Sequence, residues 1–323
     1  MPKTIGVLGS SNIDIYVLSK LFKINYNVVL KQGVNTAIES IVQEPGGDGL
    51  LTSVLYARQQ EDVTLFTKTG SDMPANFIEM VCNEESISLA TNFKTTKYHT
   101  DSTIHLMNIS KNDTTLSSYE CFDNISKNDI NELISKSKWV HLANIPKSKP
   151  ILYYALKNLI SSNVELVVSL VYPISLPKRA VSKLLKQAKL VVISRAVAIK
   201  LLSDESSSEQ LALELHSKGA RHIVIYDTSG DTVCINDGLV FRAQKYTPKH
   251  ISDIGGVDAI FAAGYIYSFM KYGDAKKAIN FGLSQAKSVM SVIGSRSAIL
   301  RNPVLEKIKI SEHNLMEVSN EER

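Results

Sequence analysis

Short apolar strands alternate with helices through the middle of the chain, and this alternation limits the fold more than any other feature. Residues 63–67, 139–143, 164–171, 190–193 and 222–226 read as strands, mostly apolar and rich in β-branched side chains. Between and around them, 75–83, 127–137, 150–161, 177–186, 196–202 and 206–218 read as helices, the last stopped by Gly219. Strands this apolar, separated by helices, predict a parallel sheet covered on both faces. Residues 4–8 add a buried strand that ends in Gly9-Ser10-Ser11-Asn12, and 50–60 read as a helix after a Gly46-Gly47-Asp48-Gly49 loop. Two stretches, about 13–42 and 98–119, break the rhythm. They predict a small sheet built on the α/β core, with strands at 25–30 and 98–109 and a hairpin into 114–119. A second hairpin turns at Asn236-Asp237-Gly238, two long helices fill 258–270 and 275–293, and the polar tail after Ser311 is expected to be mobile.

Several function classes are excluded by composition. The 36 basic and 32 acidic residues leave a net charge of +4 with no basic run, which argues against nucleic acid. Cys82, Cys121 and Cys234 are odd in number and far apart, so they form neither a metal set nor a disulfide framework, and a reducing compartment is the simpler assumption. The seven histidines are dispersed, and no metal ligands are expected. The start has no signal-peptide core, and the longest apolar run, 259–267, is too short for a membrane span. A cytoplasmic location is therefore expected.

Chemistry concentrates in Ser252-Asp253-Ile254-Gly255-Gly256-Val257-Asp258, which runs into a small-residue apolar helix. Backbone N–H groups at a helix N-terminus favour an anion, often phosphate. A carboxylate placed there is costly unless it has another task, such as taking a proton from an attacking hydroxyl. Equally, Asp258 reads as an N-cap and the glycines as turn residues. No Gly-Lys-Ser or Gly-Lys-Thr occurs, so there is no P-loop, and the dinucleotide G-x-G-x-x-G is absent as well.

In order along nearly the whole chain, four motifs resemble the ribokinase-like, or PfkB, carbohydrate kinases. They are Asn12-Ile13-Asp14 after the first strand, Gly46-Gly47 before a helix, Gly70-Ser71-Asp72, and 252–263. The resemblance implies a single domain over 1–323 with a three-layer αβα core, a mostly parallel sheet and a β-sheet lid at about 13–42 and 98–119. It implies a phosphotransferase using ATP and Mg²⁺ on a sugar or nucleoside. Asp258 would be the base. Gly255, Gly256 and Val257 would supply anion-hole amides. Asn12, Asp14, Gly46 and Gly47 would bind substrate, and a homodimer through the lid is implied by how family members often pair.

Departures from the family pattern fall mostly on the nucleotide side. Val257 stands where a glycine is usual, with a β-branched side chain expected to narrow the anion hole, and Leu51 where a sugar-binding asparagine is usual. The family's N-x-x-E falls at Ser194-Arg195-Ala196-Val197, where Arg195 offers a substitute positive charge. Of its T-x-G-x-x-G only Gly230 remains. Two functions are therefore open: an active small-molecule kinase, or a catalytically impaired pseudokinase acting as a binding or regulatory protein.

Overall fold

The computed structural model describes residues 3–20, 32–35, 37–108, 113–171, 176–246, 248, 250–305 and 308–316. The strands in chain order are β1 (Thr4–Leu8), β2 (Asn12–Leu18), β3 (Ser40–Gly46), β4 (Val63–Phe66), β5 (Ser88–Leu89), β6 (Ser102–Met107), β7 (Asp113–Ser117), β8 (Ser137–Leu142), β9 (Glu165–Leu170), β10 (Leu190–Ser194), β11 (Ile223–Tyr226), β12 (Thr232–Asn236), β13 (Leu239–Ala243) and β14 (Ile310–Asn314). The helices are α1 (Asp48–Arg58), α2 (Met73–Glu84), α3 (Lys127–Lys136), α4 (Lys149–Ser161), α5 (Lys178–Gln187), α6 (Arg195–Leu202), α7 (Ser208–Ser217), α8 (Val257–Tyr272) and α9 (Ala275–Met290).

The predicted alternation becomes a ten-stranded sheet in the order β14-β13-β12-β11-β10-β9-β8-β1-β4-β5. Strands β11 through β5 run parallel, and β12, β13 and β14 continue the sheet antiparallel. Strand β10 shows why its sequence is apolar from Leu190 to Ile193. Leu190 and Val192 enter one core, while Val191 and Ile193 enter the other. Helices α1, α2, α8 and α9 close the first core, and α3 to α7 close the second, giving three layers. Helix α8 is buried from Val257 to Ser268 except at Asp258. Its small residues let α9 approach: a Cβ on Gly264 would lie 3.1 Å from the Gly282 Cα.

Helix α1 is fixed to the sheet by a buried polar chain. The Tyr56 hydroxyl lies 2.8 Å from His141 Nδ1, and His141 Nε2 lies 3.0 Å from Ser169 Oγ. Burial pushes His141 down to about 3, so it stays neutral and serves packing.

The two irregular stretches form the separate small sheet, ordered β3-β2-β6-β7. Its members differ from expectation in detail. Strand β3 was not foreseen, because Ser40–Gly46 is largely exposed and carries no apolar alternation. The strand expected at 25–30 and the turn residues 109–112 lie outside the described residues. The expected 46–49 loop shrinks to Gly47 at φ +95°, since β3 ends at Gly46 and α1 starts at Asp48. The tail is corrected as well: Ile310–Asn314 pairs antiparallel with β13 and closes that edge. Its polar sequence suits an exposed edge strand, where backbone pairing rather than side-chain burial fixes the chain.

Candidate active site

A cavity of 220 Å³ lies where the carboxyl ends of β1 and β8 meet the small sheet. In open α/β sheets this end of the strands is where ligands bind. After β1 the chain crosses through Gly9, Ser10 and Ser11 into β2, and the crossing is tight. A Cβ on Gly9 would sit 2.5 Å from Gly49 Cα.

Alternation along β2 then sorts its side chains. Asn12, Asp14 and Tyr16 share one face. Parallel pairing with β6 places Thr103 opposite Asp14 and His105 opposite Tyr16. Asn12 Nδ2 donates to Asp14 Oδ1 (2.7 Å) and to Thr103 Oγ1 (3.2 Å). Tyr16 stacks on His105 with ring centroids 4.3 Å apart, and His105 Nε2 lies 3.7 Å from Asp14 Oδ1. Thr115 and Ser117 of β7 complete the roof.

The glycine pair does steric work. A Cβ on Gly46 would lie 1.9 Å from Asp14 Oδ2, and one on Gly47 would meet the Ser10 carbonyl at 2.6 Å. Beyond them Asp48 opens α1 and lines the cavity, and its carboxylate accepts no hydrogen bond from any described residue. Burial, then the charges of Asp258 and Asp14, raise Asp48 to about 7.

Opposite lies the loop 252–256. The N-cap of α8 is Gly256, at φ +72°, and no side chain caps the helix. Asp258 is therefore the second helical residue and not an N-cap. Of the three amides expected to face an anion, two are directed elsewhere. Gly255 N donates to Asp253 Oδ1 (2.8 Å), and Val257 N to the Ile254 carbonyl (3.4 Å). Among the described residues Gly256 N has no acceptor, nor do the amides of Asp258 and Ala259 in the first turn of α8. The Val257 side chain is buried in the core at an ordinary negative φ, so it does not narrow this loop.

Asp253, buried, holds the loop in place. Besides Gly255 it accepts Gly294 N (3.2 Å), and its charge acts on the Tyr16 hydroxyl, relating the anion loop to both the last segment and the small sheet. Ser295 Oγ donates to the Gly255 carbonyl, and the Leu51 side chain packs under Gly256. Asp258 is half-buried behind the loop and is not part of the cavity lining. Its Oδ1 accepts the Thr228 hydroxyl at 3.1 Å. Burial raises Asp258 to about 6; the Thr228 hydrogen bond opposes the rise and the Asp227 charge adds to it.

The nucleotide-side replacements are tied to the protein itself. Ser194 caps α6, and its oxygen accepts Val197 N. Arg195 donates to the carbonyls of Glu205 (3.1 Å) and Ser206 (2.9 Å), with its Nε 3.7 Å from Asp227. Asp227 accepts both Ser229 N and Ser229 Oγ at 2.8 Å. Among the described residues no group of three His, Cys, Asp or Glu is placed to hold a metal ion, and no helix is long and apolar enough to cross a membrane.

The structure thus brings Asn12, Asp14, Gly46, Gly47, Gly255 and Gly256 together, with Asp258 one layer behind. Sequence reading passed over Asp48, Asp253, Thr103 and Thr228. Thr103 was reachable from β pairing, whereas the others needed the tertiary fold.

A β lid over the strand ends of a mostly parallel sheet, with a glycine turn opening a buried helix, defines the ribokinase-like class. Fold comparison agrees. Ribokinase of Arabidopsis thaliana, in complex with ribose and ATP, matches at 15% identity and a TM-score of 0.75, over 93% of this chain and 96% of that one. Ribokinase of Giardia lamblia matches at 14% identity and a TM-score of 0.75, over 98% and 99%. Ribokinase of Thermotoga maritima matches at 14% and 0.73, over 98% of each chain. No curated protein is detectably similar in sequence. The sequence profile of the pfkB family carbohydrate kinases matches residues 3–302, and the chain belongs to that family.

Proposed function

We propose that the protein transfers the terminal phosphoryl group of ATP to a hydroxyl or hydroxymethyl group of a sugar or nucleoside held in the lid cavity. The observation that carries this reading is the placement of Asp14 and Asp48 in one cavity with a helix start whose Gly256 amide has no acceptor among the described residues, and with Asp258 one layer behind it. Asp258, raised to about 6, suits a general base near neutral pH. It takes the hydroxyl proton as the substrate oxygen attacks the terminal phosphorus. The bond to the bridging oxygen breaks, and ADP leaves with that electron pair. The Gly256, Asp258 and Ala259 amides stabilise the charge on the transferring group. Asn12 and Asp14 orient the sugar hydroxyls. Mg²⁺ would enter bound to the nucleotide phosphates, as is common for phosphotransferases.

Release of ADP from ATP-Mg²⁺ in the presence of pentoses, hexoses or nucleosides tests this reading, and Asp258→Asn should abolish it. Absence of turnover with every acceptor, together with no thermal shift from ATP, contradicts it.

One observation favours the second reading, a pseudokinase that binds ligand without transfer. Thr228 occupies Asp258, and Arg195 is held by Asp227 and two carbonyls where the family places its metal-organising pair. A homodimer through the lid fits the exposed Ile41 and Val42 on edge strand β3 and Leu116 on edge strand β7. Light scattering of the wild type against Ile41→Lys tests that pairing.

A further inference from the structure

The lid cavity carries its charge unevenly. Four of its five aspartate and lysine lining groups already have partners within the protein. Asp101 accepts the amides of Cys121 and Phe122 at 3.0 Å each. Asp123 accepts Lys147 N at 2.8 Å. The Lys147 ammonium stands at the rim, exposed, over the Tyr119 ring at 4.9 Å and 3.9 Å from Asp123. Asp14 is bonded to Asn12 and faces His105. Asp48 alone makes no hydrogen bond to the described protein, although it lines the cavity and is flanked electrostatically by Asp14 and Asp258.

Asp48 is half-buried, and a ligand that fills the cavity desolvates its carboxylate, which is costly unless the ligand pairs with it; the like charges of Asp14 and Asp258 add to that cost. A neutral hydroxyl would supply one donor and no charge. A sugar acid or sugar phosphate would add another anion beside carboxylates that no cation on the cavity floor offsets. An ammonium group supplies three donors and one positive charge. It would also lessen the repulsion that these carboxylates exert on an incoming terminal phosphate.

We propose that the substrate of this cavity is a hydroxylated primary amine, an amino sugar or amino polyol, whose ammonium binds Asp48 while one of its hydroxyls faces Gly256, in front of Asp258. The placement of that hydroxyl rests on the phosphotransferase reading; recognition of the amine does not. Asp48 then determines specificity, separating amines from neutral and acidic sugars of the same shape.

Equilibrium binding without nucleotide isolates the recognition step. Calorimetry at neutral pH would compare D-glucosamine with D-glucose and D-gluconate, and 1-amino-1-deoxy-D-glucitol with D-glucitol. Each amine should bind about tenfold or more tightly than its neutral counterpart, the size expected for a charge-assisted hydrogen bond, and gluconate should bind weakest. Added salt should shrink the difference. Asp48→Asn should bring amine and neutral sugar to within about twofold, since it removes the charge and keeps the shape. Equal binding of amine and neutral sugar, tighter binding of gluconate, no binding by any of the five, or a preference that survives in Asp48→Asn would each overturn the proposal. ADP release is measured separately on the same compounds. An amine that binds selectively without turnover supports the recognition and contradicts the transfer reading. Turnover of neutral sugars without preference does the reverse.

Discussion

The two halves of the active site have been treated differently. On the sugar side, backbone spacing is dictated by the chemistry. Gly46 exists because Asp14 leaves no room for a Cβ, and Gly47 because the Ser10 carbonyl does not. On the nucleotide side, the side chain that could meet phosphate, Arg195, is spent within the protein on two carbonyls and on Asp227, which also accepts from Ser229. The sugar side is therefore prepared for a ligand, with one carboxylate left open. The nucleotide side offers chiefly backbone amides. On the proposed reading, catalysis in such a site would rest on the helix start and the base rather than on cationic side chains.

Substitutions can break or sharpen this contrast. The largest effect is expected for Asp258→Asn, which removes the base and should lower kcat by about a hundred- to ten-thousandfold, read from ADP release. Gly46→Ala comes next. Its Cβ would displace the Asp14 carboxylate, so KM for the acceptor should rise by about tenfold or more with a smaller change in kcat. If KM for ATP moves instead, the division into two sides is wrong.

An intermediate effect concerns pH. With Asp258 raised to about 6, kcat/KM should fall as pH drops through that value, because the base becomes protonated. Thr228→Val removes a hydrogen bond that holds Asp258 down, and so should move this acid limb to higher pH. A limb that does not move would remove Thr228 from the site.

Asp48→Asn should have a stability effect of definite sign. The folded state holds Asp48 at about 7 against an ordinary value of 3.8, so between these values the folded state binds more protons than the unfolded chain. Stability therefore declines as pH rises through this window, and the cost is complete above about 7. The variant should raise Tm most above that pH and lose its advantage as pH falls towards 4, as followed by thermal denaturation. The smallest effect is expected for Arg195→Ala. Its guanidinium is bonded to the protein, so KM for ATP should change by less than about threefold. A large rise would show that Arg195 leaves Asp227 for the nucleotide, and the contrast between the halves would collapse.

The core was legible in the sequence because strands such as β10 are buried on both faces and are therefore apolar almost to their ends. Strands β3 and β14 were not, since exposed edge strands are held by backbone pairing that side chains do not report. The site divides in the same way. Gly46, Gly47 and Gly256 were legible, because only glycine tolerates those close approaches and positive φ values. The destination of each amide was not. Whether Gly255 N–H meets a phosphate or Asp253 depends on contacts with Gly294 and Tyr16, which are distant in sequence. Asp48 looked like a loop residue until the fold placed it between Asp14 and Asp258.

The claim that the helix start of α8 still transfers phosphoryl groups is tested most directly by acceptor-dependent ADP release from ATP-Mg²⁺, measured in parallel for the wild type and Asp258→Asn. ADP release that requires an acceptor and disappears in the variant is the predicted result. An acceptor bound by the wild type without any ADP release would contradict the claim and leave a sugar-binding protein on a kinase fold.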